Sequence, residues 1–332
     1  GRRAILNFLN QPDQGPRSDW QLLLQGAGNP PGNLRIKQAG ELLQYEKHPG
    51  FDKTEIIERA EMFIEYAHGH GAPVSGSTGA QGDAPKFLLV RDAKNHWHAD
   101  GVLPDSQALQ HFIVKFPRGH LDSDKAVLRN EAAYYRVAKM AGLRVHALPE
   151  FIDNTLFIPR FDRKSTHKKV IRYGQESLCS VAGVSDFGQA IAMEILCESF
   201  MPHVTHPKQE LKEFLLRDVM NVALGNTDNH ARNTALGKYP DGTVALTPLY
   251  DFAPMILDQQ GIARTSRWSE GEVMGFPEWG KIAEMMAMRF LRYQITREEL
   301  QELFYDFAKV TEKLPDIMVI AKVDNDLIQR LD

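Results

Sequence analysis

The sequence Gly225-Asn226-Thr227-Asp228-Asn229-His230-Ala231-Arg232-Asn233 is followed, eighteen residues later, by Asp251 in Leu249-Tyr250-Asp251-Phe252. An aspartate, an asparagine five residues on and a second aspartate past a hairpin are the minimal groups for phosphoryl transfer from ATP. In that chemistry the first aspartate, here Asp228, orients the attacking hydroxyl and accepts its proton. Asn233 and Asp251 are the predicted magnesium ligands, and His230 is predicted to position Asp228 or the loop backbone.

The segments that flank this loop predict a helix before it and a hairpin after it. Apolar residues at helical spacing predict a helix over about 208–224, which Gly225 is expected to end. Two short strands and the turn between them are predicted at Thr234–Leu236, Tyr239–Gly242 and Val244–Thr247. Such a hairpin would return Asp251 to the side of Asp228. Asp and Asn also favour loops for local reasons, so the prediction depends on the three groups together.

Length and composition predict a globular protein with room for two domains. The hinge expected near residue 158 divides them into residues 1–158 and 159–332. The chain has 332 residues and a net charge of −4, so direct binding of nucleic acid is not expected. No run approaches the roughly 20 apolar residues of a membrane span, and no membrane segment is expected. Cys179 and Cys197 are too few for a disulfide framework or a four-ligand zinc site, which favours reduced, buried thiols in a cytoplasmic protein.

A Gly/Ser-rich loop, Ser75-Gly76-Ser77-Thr78-Gly79-Ala80-Gln81-Gly82-Asp83, lies before strand-like segments. Its backbone N–H groups can approach phosphates because glycine tolerates the conformations required. It lacks the G-K-[ST] ending of a Walker A loop. We expect Ser77, Thr78 and Gly79 to cover the nucleotide, and a plain flexible turn is the alternative.

Charged residues after this loop are further candidates for nucleotide binding. Lys115, at the end of the strand-like run 111–116, can reach α- and β-phosphate oxygens. Glu131, at the start of a helix predicted through Ala141, is expected to orient that lysine. Alternatively, both are surface residues. Phe157–Asp162 falls where a hinge between lobes is expected, which places Arg160, Phe161 and Asp162 beside the nucleotide.

Helical spacing predicts further helices outside these motifs. One is expected near the start of the chain, and three are expected after residue 280. They are Lys53–Tyr66, Glu284–Tyr293, Arg297–Leu314 and Ile317–Leu331.

Four ordered motifs over about residues 75–260 resemble those of the HipA-family serine/threonine kinases, the toxin half of bacterial toxin–antitoxin pairs. Residues 225–233 resemble the family's G-x-x-D-x-H-x-K/R-N loop, and residues 246–251 resemble its L-x-P-x-Y-D segment. Asn130-Glu131, with Ala138-Lys139 and Gly142-Leu143, is similar to its N-E…A-K-x-x-G-L helix. Phe161-Asp162-Arg163 resembles its F-D-R segment, whereas Pro85-Lys86-Phe87 resembles a less studied branch.

The resemblance implies an α+β, two-lobed, protein-kinase-like fold with a mixed N-terminal lobe and a mostly helical C-terminal lobe. It implies ATP and Mg²⁺ as cofactors, an antitoxin as a partner and a protein substrate phosphorylated on serine. In characterised members that substrate is an aminoacyl-tRNA synthetase. The resemblance also implies autophosphorylation of the Gly/Ser loop, with Ser77 as the first candidate and Ser75 and Thr78 as alternatives.

Two other function classes stay open. Small-molecule kinases of the aminoglycoside and choline kinase type share the Asp…Asn…Asp arrangement. An acidic pocket for a cationic substrate would favour them, whereas the residues near the loop are basic, namely Arg217, Arg232 and Lys238. The third class is a non-catalytic module that works through an antitoxin or DNA, and the intact Asp228, Asn233 and Asp251 argue against it.

Overall fold

The computed structural model describes residues 15–42, 48–59, 61–69, 85–185, 189–259 and 261–331. They belong to two compact units, Gly1–Leu128 with His146–Gln175, and Arg129–Val145 with Glu176–Asp332. Helices and antiparallel sheets occur together, which confirms the α+β fold class. The Gly/Ser loop, with Ser75, Ser77, Thr78 and Gly79, lies outside the described residues.

The first unit is built around a five-stranded sheet in the order β2-β1-β3-β5-β4. Its strands are β1 (Lys86–Arg91), β2 (Trp97–Ala99), β3 (Gln110–Lys115), β4 (Glu150–Ile152) and β5 (Thr155–Pro159). In the described part of the chain before the sheet lie the helices α1 (Pro16–Gly26), α2 (Lys37–Leu42), α3 (Lys53–Ile57) and α4 (Glu61–Gly69). A separate two-stranded ribbon pairs β6 (Arg163–Ser165) with β7 (Val170–Arg172).

Aromatic side chains dominate the core of this unit. Phe63 of α4 packs on Phe87 of β1, and Trp97 of β2 packs on both Phe112 and Phe157. All five side chains are buried. Because β3 pairs with β1 on one side and β5 on the other, it is the central strand of the sheet and is fixed by both neighbours.

The prediction of a single helix over Lys53–Tyr66 is wrong, because two helices occupy this stretch. Arg59 has a φ of 53°, a left-handed conformation that an α-helix cannot continue through. The apolar residues whose spacing suggested one helix nevertheless share one core. Ile56 and Phe63 lie on different helices and are buried in the same core.

The second unit is mostly helical. The chain enters it within α5 (Asp122–Met140) and later adds α6 (Leu178–Val181), α7 (Met193–Phe200) and α8 (Pro207–Ala223). A three-stranded sheet has the order β10-β9-β8, formed by β8 (Gly174–Ser177), β9 (Ala235–Lys238) and β10 (Val244–Leu246). The hairpin of β11 (Glu272–Val273) and β12 (Phe276–Pro277) follows. The last helices are α9 (Trp279–Arg289), α10 (Arg297–Thr311), α11 (Leu314–Ile320) and α12 (Asn325–Leu331).

Helix α8 contributes to both apolar clusters of the second unit. Phe214 packs against Phe200 in the first cluster, whereas Met220 lies in the second cluster with Tyr134 and Phe252. The helix predicted over about 208–224 is confirmed. Because α8 is buried on two faces, its C-terminal end and the loop after it have a fixed position within this unit.

The compact units divide the chain differently from the predicted boundary at residues 158 and 159. Residues 129–145 fall in the second unit because the apolar face of α5, with Tyr134 and Val137, is buried in the second unit's core. Residues 159–175 fall in the first unit. Each unit therefore takes a piece of chain from the other side of the expected boundary.

The helices predicted at Glu284–Tyr293 and Arg297–Leu314 correspond to α9 and α10. The prediction of one continuous helix over Ile317–Leu331 is wrong, because Lys322 has a φ of 61° between α11 and α12. Helix α9 ends at Arg289, before a 3-10 turn over Leu291–Tyr293. Cys179 and Cys197 are buried free thiols, as expected. Within the described part of the chain, no helix is long and apolar enough to cross a membrane.

Candidate active site

The end of helix α8 sets the start of the predicted catalytic loop. Gly225 adopts a φ of 61°, and its N–H donates to the carbonyl of Val222 over 3.3 Å. The next N–H, of Asn226, donates to the carbonyl of Asn221 over 2.9 Å. These two bonds form a Schellman motif, which ends a helix through a left-handed residue. The expectation that Gly225 ends the helix is confirmed.

Only glycine fits at this position. A Cβ on Gly225 would lie 2.9 Å from Cγ2 of Ile256, closer than real Cβ contacts. The approach is close because the Ile256 N–H donates to the Gly225 carbonyl over 2.9 Å. This hydrogen bond ties the start of the loop to the segment that follows Asp251.

Hydrogen bonds within the loop hold Asp228 and Asn233 together. The side-chain Nδ2 of Asn233 donates to the carbonyl of Asp228 over 2.9 Å, and its backbone N–H donates to the carbonyl of His230 over 2.8 Å. The Asp228 carbonyl also accepts from the His230 N–H over 3.0 Å. The loop is therefore one closed turn with the Asp228 side chain projecting from it, about a quarter exposed.

His230 lies beside Asp228 without a side-chain hydrogen bond to it. Its Nε2 is 3.8 Å from an oxygen of Asp228, which exceeds hydrogen-bonding distance. The backbone bond between the two residues is the direct link. A positioning role of the His230 side chain stays a prediction.

Asp251 is held at its place by an unusual backbone conformation and by its neighbour. Its φ is 54°, in the left-handed region that aspartate tolerates better than most residues. The hydroxyl of Tyr250 donates to the carbonyl of Arg232 over 2.7 Å. The segment that carries Asp251 is thus bonded to the catalytic loop on both flanks, through Tyr250 to Arg232 and through Ile256 to Gly225.

The donor groups suit magnesium bound to a nucleotide. Carboxylate and amide oxygens are hard ligands, and magnesium is commonly held by one or two protein groups while phosphates and waters complete its shell. The hydrogen bond from Asn233 uses its Nδ2 and so orients the amide with Oδ1 as the ligand atom. No three His, Cys, Asp or Glu side chains gather as a metal site within the described ranges. Asn233 and Asp251 would supply two protein ligands, a number that suits a magnesium ion whose shell is completed by phosphates and waters.

Asp218, on helix α8, is a buried acid that the sequence did not single out. One of its oxygens accepts from Nδ2 of Asn229 in the catalytic loop over 3.2 Å. Nη2 of Arg264 lies 3.1 Å from both carboxylate oxygens, and the indole N–H of Trp268 donates over 2.8 Å. Burial raises the pKa of Asp218, although Arg264 and Trp268 oppose that effect.

A second set of buried charges on the same helix holds the strand that leads to Asp251. Arg144 makes a two-pronged bond to Glu210, and Glu210 accepts from the Leu246 N–H over 2.9 Å. Arg217 donates to the carbonyl of Thr247 over 2.8 Å. The hydrogen bonds that Arg144 donates to Glu210 raise the pKa of Arg144, so this guanidinium stays charged.

In the first unit, Lys115 ends the central strand β3 and is buried. Its direct cross-strand neighbour is Lys86, at the start of β1. Side chains of residues paired in this way lie on the same face, and like charges directly opposite destabilise a sheet. Lys86 was not among the residues predicted from the sequence, because its register to Lys115 shows only in the sheet.

Arg160 and Asp162 belong to a buried ion cluster of the first unit. All three nitrogens of the Arg160 guanidinium donate to carboxylates, one to Asp100 and two to Asp162. Burial alone would raise the pKa of Asp100, but Arg160 and His111 hold it well below its ordinary value. Burial also lowers the pKa of Arg163 to about 10. A nucleotide contact of Arg160, Phe161 or Asp162 remains a prediction.

Glu131 lies in the second unit, whereas Lys115 lies in the first. The Glu131 side chain is buried within α5. The expected interaction between the two therefore also remains a prediction.

A cavity of about 460 Å³ opens beside Thr227, the residue before Asp228. The 3-10 turn over Met255–Leu257 lines it, together with Asp258, Gln259, Gly261, Ile262 and Arg330. A volume of this size accommodates a small ligand or a side chain of a polypeptide.

Comparison with known proteins identifies the family. Residues 78–314 match the model of the HipA-like C-terminal domain. The chain belongs to the HipA family. The match includes the catalytic loop, Asp251, both lysines and the Arg160 cluster, so every described candidate residue lies inside the family domain.

A protein of a solved HipA toxin–antitoxin complex has the same fold. The chain is similar to a protein of the Shewanella oneidensis MR-1 toxin–antitoxin complex of HipA, HipB and operator DNA, with a TM-score of 0.67 and 17% identity. The alignment covers 98% of this chain and 78% of that one. The Helicobacter pylori proinflammatory kinase CtkA matches with a TM-score of 0.42 and 13% identity, over 77% of this chain and 86% of that one. The predicted HipA-like fold is confirmed.

Proposed function

We propose that this HipA-family chain is a serine/threonine protein kinase that uses ATP and Mg²⁺. The observation that carries the proposal is the closed loop of Asp228 and Asn233, bonded on both flanks to the segment of Asp251. Phosphoryl transfer leaves little covalent chemistry to the protein, so positioning and charge do most of the work. A loop fixed in this way supports that type of catalysis.

Each residue has a separate role in the proposal. Asp228 orients the acceptor hydroxyl and takes its proton. Asn233 and Asp251 hold magnesium, which neutralises charge on the phosphates when bound. Lys115, with Lys86 opposite it, contacts phosphate oxygens. The acceptor in this proposal is a serine or threonine hydroxyl of a polypeptide, as the resemblance to the HipA family implies.

The partners follow from the family. We propose that the chain binds an antitoxin, since the Shewanella relative was solved with HipB and operator DNA. With a net charge of −4, the chain itself is not expected to bind DNA directly. An aminoacyl-tRNA synthetase is the proposed target, and Ser77 is the proposed site of autophosphorylation, ahead of Ser75 and Thr78.

Incubation of the purified protein with magnesium and γ-labelled ATP tests this function. The expected result is label on the protein, mapped by mass spectrometry to Ser77, Ser75 or Thr78. The same incubation of Asp228→Ala should give no label. An exposed acid in the same unit, as in Glu312→Ala, provides a control that should label like the wild type.

The other outcomes separate the competing function classes. Label that appears only on an added aminoglycoside or choline would identify a small-molecule kinase. A folded protein that binds no ATP would favour the non-catalytic module. Either result would overturn the proposal.

A further inference from the structure

Asp218 lies outside the catalytic loop and yet contacts it. It stands on α8, seven residues before Gly225, and its side chain is completely buried. Among its hydrogen-bond partners, Asn229 is the one that belongs to the loop, and Asn229 is the immediate neighbour of Asp228. A change at Asp218 can therefore reach Asp228 through a single hydrogen bond and one peptide unit.

The remaining partners of Asp218 fix its own orientation. Arg264 approaches both carboxylate oxygens at 3.1 Å, and Trp268 donates its indole N–H. Arg264 is in turn paired with Glu272 of β11 at 3.5 Å, and Glu272 accepts from the Trp268 N–H. Arg264 and Trp268 thus fix the orientation of the Asp218 carboxylate, which accepts its remaining hydrogen bond from Asn229.

Stability alone does not explain a carboxylate at this position. A buried ion pair contributes little net stability, because desolvation offsets the attraction. Burial raises the pKa of Asp218 even with Arg264 present, so its charged form is less favourable here than in water. Adjacent on the same helix, Arg217 points to Glu213 and Thr247 and does not contribute to this network.

We infer that Asp218 is a positioning residue for phosphoryl transfer, which fixes the catalytic loop through Asn229 while Arg264 and Trp268 fix Asp218. The inference rests on the proposed kinase function. A cavity of about 10 Å³ adjoins Asp218, Asn229 and His230 and is too small for a ligand, so the network does not form a binding site of its own. Its role is geometric.

The rate constant for autophosphorylation from γ-labelled ATP, measured over a range of magnesium ATP concentrations, tests the inference. In Asp218→Asn, the rate constant at saturating ATP, kcat, should fall by about ten- to a hundredfold, as expected for a small displacement of a catalytic group. KM for ATP should stay within about threefold, because the phosphate contacts are unchanged. Glu194→Gln is the matched control, since Glu194 is an equally buried acid that contacts Ser269 and not the loop.

A double-mutant cycle distinguishes positioning from a general loss of packing. Asn229→Ala should lower kcat to a similar extent, and the Asp218→Asn/Asn229→Ala double variant should fall no further than either single variant. Melting temperatures should be comparable for Asp218→Asn and Glu194→Gln. If Asp218→Asn does not fold, Trp268→Phe removes one support of the carboxylate and should lower kcat in the same direction.

The inference and the proposed function fail in different ways. An active wild type with an equally active Asp218→Asn overturns the inference alone. Additive losses in the double variant, or a normal Asn229→Ala, also overturn it, because the effect would not pass through Asn229. A wild type that transfers no phosphoryl group overturns the proposed function and the inference together.

Discussion

At the residue scale, the candidate site is defined by backbone geometry as much as by side-chain chemistry. Gly225 and Asp251 both have left-handed φ values. Gly225 begins the catalytic loop, and Asp251 lies in the segment that is hydrogen-bonded to this loop. Asn233 turns its amide nitrogen to the Asp228 carbonyl. Because such conformations cost free energy, they persist where the surrounding contacts require them and cluster at functional sites.

The Lys86 and Lys115 pair gives a prediction at this scale. In Lys86→Met, KM for ATP should rise by about tenfold, because one charge-assisted contact to phosphate is lost. Lys86→Met should still fold, because Lys86 is only half-buried at the start of β1. ATP binding by titration calorimetry and thermal melting measure the two effects.

Lys94→Met is the control for this prediction. Lys94 is exposed in the turn between β1 and β2, and the described contact of this residue is made by its backbone. Its substitution should change neither property. Equal ATP affinity in Lys86→Met and the wild type would contradict a phosphate contact at Lys86.

At the scale of elements, helix α8 organises the second unit. Its apolar residues contribute to two cores, and its buried charges point to the two segments that carry the aspartates. Asp218 reaches the loop of Asp228, whereas Arg217 and Glu210 reach the strand before Asp251. One helix thus sets the position of both halves of the site.

The end of this helix is expected to be sensitive to substitution. Gly225→Ala and Gly242→Ala both force an L-residue into a left-handed conformation, which costs about 1 kcal/mol. Gly225→Ala should lose more free energy of unfolding, because its Cβ would meet Ile256, whereas Gly242 has open space around it. Urea unfolding compares the two variants.

The two glycine variants should rank in the same order for the rate of phosphoryl transfer as for the free energy of unfolding. Gly225→Ala should lower activity under conditions where the variant is fully folded, and Gly242→Ala should not. Equal effects of the two variants on unfolding and activity would contradict the role assigned to the α8 terminus.

At the scale of the whole molecule, sequence predicted what is local and missed what depends on distant partners. The loop 225–233 and its flanking helix and hairpin were predictable, because spacing and turn residues define them. Asp218 was not, since its partners Arg264 and Trp268 lie 46 and 50 residues away. Arg160 was recognised as a motif residue, but its bond to Asp100, across 60 residues, shows only in the fold.

Long-range ion pairs also predict the response of the fold to acid. Burial opposes ionisation of Asp324, but hydrogen bonds from Arg129 and Asn130 outweigh it and lower the pKa of Asp324. A carboxyl with a lowered folded-state pKa stabilises the fold above the unfolded value of about 4, and this contribution is lost as pH falls through the folded pKa.

Asp324→Asn should therefore unfold at lower urea than the wild type at pH 7. The difference should shrink as the pH is lowered below about 4, where the wild-type carboxyl becomes protonated. Urea unfolding curves at a series of pH values measure this. A difference that stays constant with pH would contradict the ionised pairing of Asp324 with Arg129.

The rate of phosphoryl transfer from ATP, measured against magnesium concentration, tests the central claim most directly. The wild type should transfer the phosphoryl group in a magnesium-dependent way. Asp228→Ala should be inactive at every magnesium concentration while it still binds ATP, and Asp251→Ala should also need far more magnesium to bind ATP. Wild-type activity in Asp228→Ala, or an unchanged magnesium dependence in Asp251→Ala, would contradict the assignment of these two aspartates.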